Sequence, residues 1–127
     1  MPCPCGSGQP YAACCSPFHA GTSPTPNAEA LMRSRYSAYV LQLEDYLLAT
    51  WHATTRPSEL DLAADATKWL GLEVKRHIVH DVDHATVEFV ARYRVAGRGH
   101  RLRELSRFVR EDGCWYYVDG DLLGQPA

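Results

Sequence analysis

The chain has 127 residues, of which 46% are hydrophobic and 22% are charged, and its formal net charge is −2. This composition predicts one folded domain with a small additional segment, and the near-neutral charge gives no general attraction to nucleic acid or anionic membranes. No apolar run approaches the ~18 residues that span a bilayer, and no signal-peptide pattern is visible. We therefore expect a cytoplasmic protein with no membrane span, whose thiols stay reduced.

The N-terminal segment is uncharged up to residue 28, and prolines and glycines interrupt it throughout. It cannot build an apolar core, so another interaction must order it. Four of the five cysteines lie here: Cys3, Cys5, Cys14 and Cys15. Four thiolates satisfy tetrahedral Zn²⁺ and leave no position for water, and metal binding would supply folding energy. We predict a zinc knuckle over residues 1–24 that unfolds on metal loss without disturbing a separate body over residues 25–127.

Two alternatives to four thiolate ligands stay open at this point. A disulfide or redox pair is one, although a reducing cytoplasm disfavours it and the C-x-x-C spacing of redox pairs is absent. A strained bridge between the neighbours Cys14 and Cys15 belongs to this alternative. The other is that His19 replaces Cys15 as the fourth zinc ligand.

The body begins with helical signals. Thr25-Pro26 predicts a helix start, after which an apolar stripe recurs at helical spacing: Leu31, Met32, Tyr36, Tyr39, Val40 and Leu43. A second short helix carries Tyr46, Leu47 and Trp51. The segment from Ser58 to Asp61 resembles a capping box, which predicts a third helix through Trp69 with Gly71 as its stop.

After Gly71 the apolar period changes from helical to alternating, which predicts strands. Turn residues separate these strands at Asp81–Asp83, Gly97–Gly99 and Asp112-Gly113, and the final strand covers Cys114–Val118. Cys114 is expected to be a buried core thiol. Helices followed by an antiparallel meander indicate an α+β fold.

The opening segment CPCGSGQPYAACC resembles the SEC-C zinc motif, first associated with the C-terminus of the bacterial preprotein translocase ATPase. The rest resembles the bacterial UPF0225 or YchJ-like family in the stretches LMRSRYSAYV, YLLATWH, VEFVARY, LRELSRFVREDG and WYYVDG. The resemblance implies that Cys3, Cys5, Cys14 and Cys15 bind Zn²⁺. It also implies an NTF2-like (cystatin-like) cone of three N-terminal helices on a curved antiparallel sheet. The knuckle departs from the family where lysines are common, at Gln9, Pro10, Ala12 and Ala13.

Cones of this kind often enclose a pocket, and some similar domains are isomerases or dehydratases. The candidate pocket residues are Arg33, Tyr36, Trp51, His52, Glu88, Arg92 and Glu104. Four of them have simpler interpretations: His52 as a helix cap, Glu88 with Arg92 as a solvated salt bridge, and Arg33, like Arg35 in the stretch RSRY, as a solvated helix charge. Glu104 is either an edge residue or a pocket acid. Because about 100 residues leave little interior at native packing density, we expect a mostly filled cone with Arg33, His52 and Glu104 near its mouth.

We predict a zinc-binding adaptor or interaction protein that contacts protein partners through its knuckle. The alternative is a small-molecule enzyme of the isomerase or dehydratase type, or a ligand binder, that uses the cone. A nucleic-acid interface is not favoured, because acidic residues interrupt the basic stretch formed by Arg98, His100, Arg101, Arg103, Arg107 and Arg110. No Ser-His-Asp or phosphate-loop signature is present.

Overall fold

The computed structural model describes residues 2–60, 62 and 67–123. A 3-10 turn, Tyr11–Ala13, is followed by the short helix α1 (Ser16–His19), then by α2 (Ala28–Leu41) and α3 (Glu44–Ala49). The strands are β1 (Lys68–Asp81), β2 (His84–Val95), β3 (Arg98–Glu111) and β4 (Cys114–Leu122). They pair antiparallel in the order β1-β2-β3-β4, and the helices pack on this curved sheet. The predicted α+β class is confirmed.

Helix α2 begins two residues later than Thr25-Pro26 predicted, because a better capping residue is available. The Asn27 side chain accepts a hydrogen bond of 2.8 Å from the Ala30 backbone N–H, which satisfies one free donor of the first turn. The helix ends at Gln42, whose φ of 59° is left-handed. Helix α3 stops before Trp51, which forms a single backbone bridge to Tyr117 of β4 instead.

The predicted helix from Ser58 through Trp69 is wrong at both of its ends. Strand β1 already begins at Lys68, and Gly71 lies inside it, at an irregularity in the pairing with β2. Ser58, Glu59 and Leu60 are not helical, while Asp61 and residues 63–66 lie outside the described residues. Trp69 pairs with Tyr93 of β2, and its ring packs against the rings of Tyr93 and of Tyr36 in α2.

The hairpin turns at Asp81–Asp83 and Asp112-Gly113 are confirmed, while the middle turn falls at Ala96-Gly97 and Gly99 belongs to β3. Strand β4 is longer than predicted and ends at Leu122. Cys114 is exposed rather than buried, because it pairs with Glu111 at the solvent-facing end of the last hairpin.

The main core joins the helices, the sheet and the knuckle. Inward-facing side chains of β2 and β3 pack against α2, and three of the four N-terminal cysteines belong to the same cluster of buried residues. The cluster includes Leu31, Met32, Tyr36, Val87, Phe89, Phe108, Cys3, Cys5 and Cys15. The sequence predicted a knuckle without such support. Its cysteines instead share one apolar core with the body.

The Asp112-Gly113 turn provides a test of the hairpin geometry. Gly113 has a φ of 78°, which an L-residue with a Cβ adopts at a cost of about 1 kcal/mol. We expect Gly113→Ala to lower the free energy of unfolding in urea by about that amount. Gly99→Ala is the matched control, since Gly99 has no positive φ and an added Cβ meets no atom within 4 Å. Equal losses from both substitutions would contradict the assignment.

Candidate functional site: a cysteine cluster and an aromatic cavity

The four N-terminal cysteines converge on one point. Their Sγ atoms all lie within 4.8 Å of one another. The distance from Cys5 Sγ to Cys14 Sγ is 3.6 Å, and that from Cys14 Sγ to Cys15 Sγ is 3.9 Å. A tetrahedral zinc ion with Zn–S bonds of about 2.3 Å holds its sulfurs about 3.8 Å apart. The spacing and the soft donors therefore fit a four-thiolate metal centre.

Local backbone geometry brings the two cysteine pairs together. The Cys3 N–H donates to Gln9 O at 2.9 Å, and the Gly6 N–H donates to Cys3 O at 3.2 Å. Between them the chain reverses through Gly6 and Gly8, whose φ values are 77° and 85°. These left-handed angles suit glycine. A Cβ on Gly6 would also approach Leu72 O of β1 at 3.3 Å, so the reversal lies against the sheet.

Two serines surround the sulfurs. Ser37 of α2 places its Oγ 3.5 Å from Cys3 Sγ and donates to Cys15 Sγ at 3.4 Å. Ser7 Oγ lies 3.1 Å from Cys14 Sγ. Hydroxyls in such positions orient metal ligands and reduce the charge on thiolates. Ser37 could not be predicted from the sequence, because it lies in α2, 22 residues from the nearest cysteine of the cluster.

The cluster in its metal-free form shares protons unevenly. Hydrogen bonding with Cys15 lowers the pKa of Cys5 to about 4, even though burial opposes this shift. The same hydrogen bond, together with burial, raises the pKa of Cys15, and burial raises that of Cys14. Neighbouring thiols cannot all ionise at such distances unless a cation compensates their charge. A divalent metal would supply that charge.

His19 links the knuckle to α2. Its Nε2 lies 2.8 Å from Ser34 O, and its Nδ1 lies 2.8 Å from the Tyr11 hydroxyl. Because a carbonyl only accepts, Nε2 carries the proton, and Nδ1 accepts from Tyr11. Burial lowers the pKa of His19, which favours this neutral ring. Both nitrogens are therefore engaged away from the cluster, whereas the sequence had left His19 open as a ligand.

Arg33 of α2, which was expected near the cone mouth, contacts the knuckle. Its Nη1 donates to Cys5 O at 3.0 Å, and its Nε donates to Glu29 Oε2 at 3.1 Å. His52 was also expected near the cone mouth, but it is not among the residues that line the cavity between α2 and the sheet. Its Nε2 lies 2.7 Å from Glu111 Oε2 and its Nδ1 lies 2.7 Å from Thr54 Oγ1. Its two ring nitrogens thus contact side chains rather than cap the helix carbonyls.

Glu88 and Arg92 are not part of the cavity either, and they do not pair with each other. Glu88 accepts from Arg103 Nε at 2.9 Å, and Arg92 lies 3.8 Å from Glu73. Both side chains occupy the outer face of the sheet, opposite the helices. Their contacts there are those of surface ion pairs.

A cavity of about 250 Å³ lies between α2 and the sheet. Its lining is mainly aromatic and consists of Met32, Arg35, Tyr36, Tyr39, Trp51, Trp69, Phe89, Ala91, Leu102, Glu104, Ser106, Phe108 and Tyr117. Of the residues predicted for a pocket, Tyr36, Trp51 and Glu104 line this cavity. This volume stays below the ~300 Å³ typical of drug-sized sites, above which the prediction of a mostly filled cone would be contradicted.

Two opposite charges face this cavity. Arg35 of α2 is only 4% exposed, and its Nη1 donates to Leu47 O at 2.8 Å and to Thr50 Oγ1 at 2.6 Å. Its guanidinium carbon lies 5.1 Å from the Trp51 ring centre and 4.7 Å from that of Tyr117. Arg35 was not predicted to line a pocket, because arginines in a helix are usually solvated.

Glu104 of β3 supplies the negative charge. Its Oε2 accepts from Ser106 Oγ at 2.5 Å. The side chain crosses β4 over Gly120, where an added Cβ would collide with the same oxygen. Glycine at this position therefore leaves the space that the carboxylate occupies.

The basic stretch of β3 is largely neutralised by neighbouring acids. Arg107 bonds Asp119 and Asp121, Arg103 bonds Glu88, and Arg110 lies 3.3 Å from Asp83. The hydrogen bonds that Arg107 donates to Asp121 and Asp119 raise the pKa of its guanidinium. Paired arginines offer little free charge to a phosphate backbone. In the described part of the chain, no helix is long and apolar enough to cross a membrane.

Two family models match the chain: the SEC-C motif over residues 2–17, and the middle NTF2-like domain of YchJ over residues 27–120. The UPF0225 protein of Polaromonas naphthalenivorans is 59% identical over 132 residues, covering 94% of this chain and 96% of that protein. The UPF0225 protein of Cupriavidus metallidurans is 62% identical over 133 residues, covering 99% and 92%.

Two solved structures share the fold. A SEC-C motif-containing protein from Rhodopseudomonas palustris superposes with a TM-score of 0.87 at 35% identity, covering 98% of this chain and 100% of that one. A SEC-C motif-containing protein from Psychrobacter arcticus gives 0.79 at 31% identity, covering 98% and 84%. The predicted NTF2-like fold is thereby confirmed.

The position of Ser37 leads to a prediction about metal affinity. Ser37→Ala removes the hydroxyl near Cys3 and Cys15, and we expect it to weaken zinc binding about tenfold, as measured by competition with a chromogenic chelator. Ser23→Ala, at an exposed serine, is the control and should leave the affinity unchanged. An unaltered affinity in Ser37→Ala would show that this hydroxyl only fills space.

Proposed function

Because the chain belongs to the UPF0225 (YchJ-like) family of SEC-C motif proteins, we propose that it is a zinc-binding interaction protein. The proposed ligands are Cys3, Cys5, Cys14 and Cys15. The observation that carries this proposal is the convergence of their four Sγ atoms within 4.8 Å. Four thiolates prefer Zn²⁺ to the hard cations Mg²⁺ and Ca²⁺, and a complete set of protein ligands is typical of a structural centre.

The interaction role is proposed for the outer surface of the knuckle, residues 6–13. Apart from the half-buried Tyr11, these residues are exposed, and none of them carries a charge. A closed metal centre has no coordination position for a substrate, so the surface that it shapes is what remains available for recognition. We propose that a protein partner binds there, in the cytoplasm, where thiolates stay reduced.

Metal analysis tests the zinc proposal directly. After purification under reducing conditions, the protein should contain about one zinc per chain. Cys5→Ser and Cys15→Ser should each reduce that content, while His19→Gln should retain it because both ring nitrogens are engaged elsewhere. A protein without stoichiometric zinc, or one that loses it through His19→Gln but not Cys15→Ser, would contradict the ligand assignment.

Metal removal tests how far the centre supports the body. Arg33, Ser34 and Ser37 of α2 contact Cys5, His19 and the sulfurs. Chelation should therefore accelerate amide hydrogen exchange in α2 as well as in the knuckle. The β2–β3 turn at Ala96-Gly97, which makes none of these contacts, is the internal control. Faster exchange confined to residues 2–20 would restore the independent knuckle that the sequence predicted.

The partner proposal is tested by changing the knuckle surface without touching the metal. The pair Ala12→Arg and Ala13→Arg adds two charges at exposed positions and should abolish capture of the partner while zinc content stays normal. Val82→Arg, at a 68% exposed position in the β1–β2 turn, is the control. Partner capture that survives the knuckle variant but not the control would move the interface to the sheet.

The cavity supports a second candidate function, the binding of a small molecule. The specific observation is that about 250 Å³ of mainly aromatic interior also contains a buried guanidinium and a carboxylate. Such a combination of apolar walls and few polar groups is typical of ligand sites. Titration with a neutral aromatic amide tests it by NMR. The indole N–H signals of Trp51 and Trp69 should shift, while that of Trp115, which lies outside the lining, should not.

A further inference from the structure

We propose that the cavity binds a small apolar monocarboxylate, with the guanidinium of Arg35 as its anchor. This inference rests on the second candidate function, since it names the class of ligand that the cavity would accept. Three features of the cavity support it: the charges of Arg35 and Glu104, an indole N–H without a hydrogen-bond partner, and the volume of the cavity.

Arg35 has no salt-bridge partner among the described residues, and Glu104 acts on its charge only at a longer range. The side chain is 4% exposed, and none of the ion pairs among the described residues includes it. Two neutral acceptors, Leu47 O and Thr50 Oγ1, bind one end of the guanidinium. Burial accordingly lowers the pKa of Arg35. A guanidinium removed from water is best compensated by a carboxylate, whose two oxygens match its planar donors.

A second donor in the same wall is unsatisfied. The indole Nε1 of Trp51 is buried and has no hydrogen-bond partner among the described residues. Trp51 lies against the Arg35 guanidinium and lines the cavity with it. Buried polar groups in folded proteins are almost always paired. A ligand with two acceptor oxygens would supply partners to both residues.

The remaining walls accommodate an apolar body. The rings of Tyr36, Trp69 and Phe89 lie along the cavity, together with Leu102 of β3. A cavity of about 150 Å³ is sufficient for benzene, so 250 Å³ has room for a phenyl ring and a short acidic chain. This size excludes nucleotides and long-chain lipids.

Glu104 should restrict the ligand to a single negative charge. Its carboxylate lines the same cavity, and Ser106 and the space over Gly120 hold it in place. A second carboxylate on the ligand would be repelled by it at close range and in low dielectric. The site should therefore prefer monocarboxylates to dicarboxylates.

Three probes that share a phenyl ring and a short chain, but are anionic, neutral or cationic, test the inference. Calorimetry and the indole N–H signals would compare 3-phenylpropionate, its neutral amide and the cationic 3-phenylpropylamine. We expect the carboxylate to bind at least about tenfold more tightly than the amide, and the amine to bind most weakly, because the buried Arg35 attracts the anion and repels the cation. Phenylsuccinate, which has two carboxylates, should bind more weakly than 3-phenylpropionate.

Variants separate the anchor from the structural role of Arg35. Arg35→Gln should abolish the preference for the anion. Glu104→Gln removes a like charge and should tighten 3-phenylpropionate about threefold or more, an effect that a merely structural residue would not produce. Glu88→Gln, on the outer face, is the matched control and should change nothing. If Arg35→Gln does not fold, the charge series and Glu104→Gln still decide.

The outcomes distinguish a preference for carboxylates from the more general proposal that the cavity binds a small molecule. Equal binding of carboxylate and amide would overturn the carboxylate inference and leave a ligand-binding cavity. Tighter binding of the amine would assign the site to cations through Glu104 and overturn it as well. No binding by any probe would contradict both. None of these results bears on the zinc content of the knuckle.

Discussion

Helix α2 contacts the knuckle on one side and the cavity and sheet on another, and the rest of the structure depends on these contacts. One side of α2 presents Arg33, Ser34 and Ser37 to the knuckle, where they bond Cys5 O, His19 and two cysteine sulfurs. Another side presents Arg35 and Tyr36 to the cavity. Most of the helix is therefore buried although it carries several polar residues. Each buried polar group needs a partner in a defined place, which fixes the rotation of the helix.

This arrangement explains which parts of the site were predictable. The cysteine cluster could be predicted from the sequence, because four thiols so close together in a segment with few apolar side chains have few other uses. Glu104 could also be selected, because strict alternation in β3 places it on the face of Leu102 and Phe108. Both arguments depend on short segments whose geometry is set locally.

Arg35, Ser37 and the end of the third helix could not be found in this way. The stretch RSRY is typical of a solvated helix surface, and only the packing of elements on both sides reveals that Arg35 and Ser37 are buried. Likewise the capping-box pattern predicted a helix through Trp69, whereas strand pairing with Tyr93 places that residue in the sheet. Tertiary contacts determine these positions, and single-sequence patterns do not include them.

The same helix makes the knuckle and the cavity physically dependent on each other. Ser37 contacts the cysteine sulfurs and Arg35, two residues earlier, lines the cavity. A shift of α2 that improves one contact must therefore move the other. The buried serines and arginine cost desolvation that leucine would not, and in return they admit only one position for the helix. Because apolar side chains alone would tolerate several rotations of α2, the polar contacts with the cysteine cluster are what hold the cavity wall, and hence Arg35, in its position.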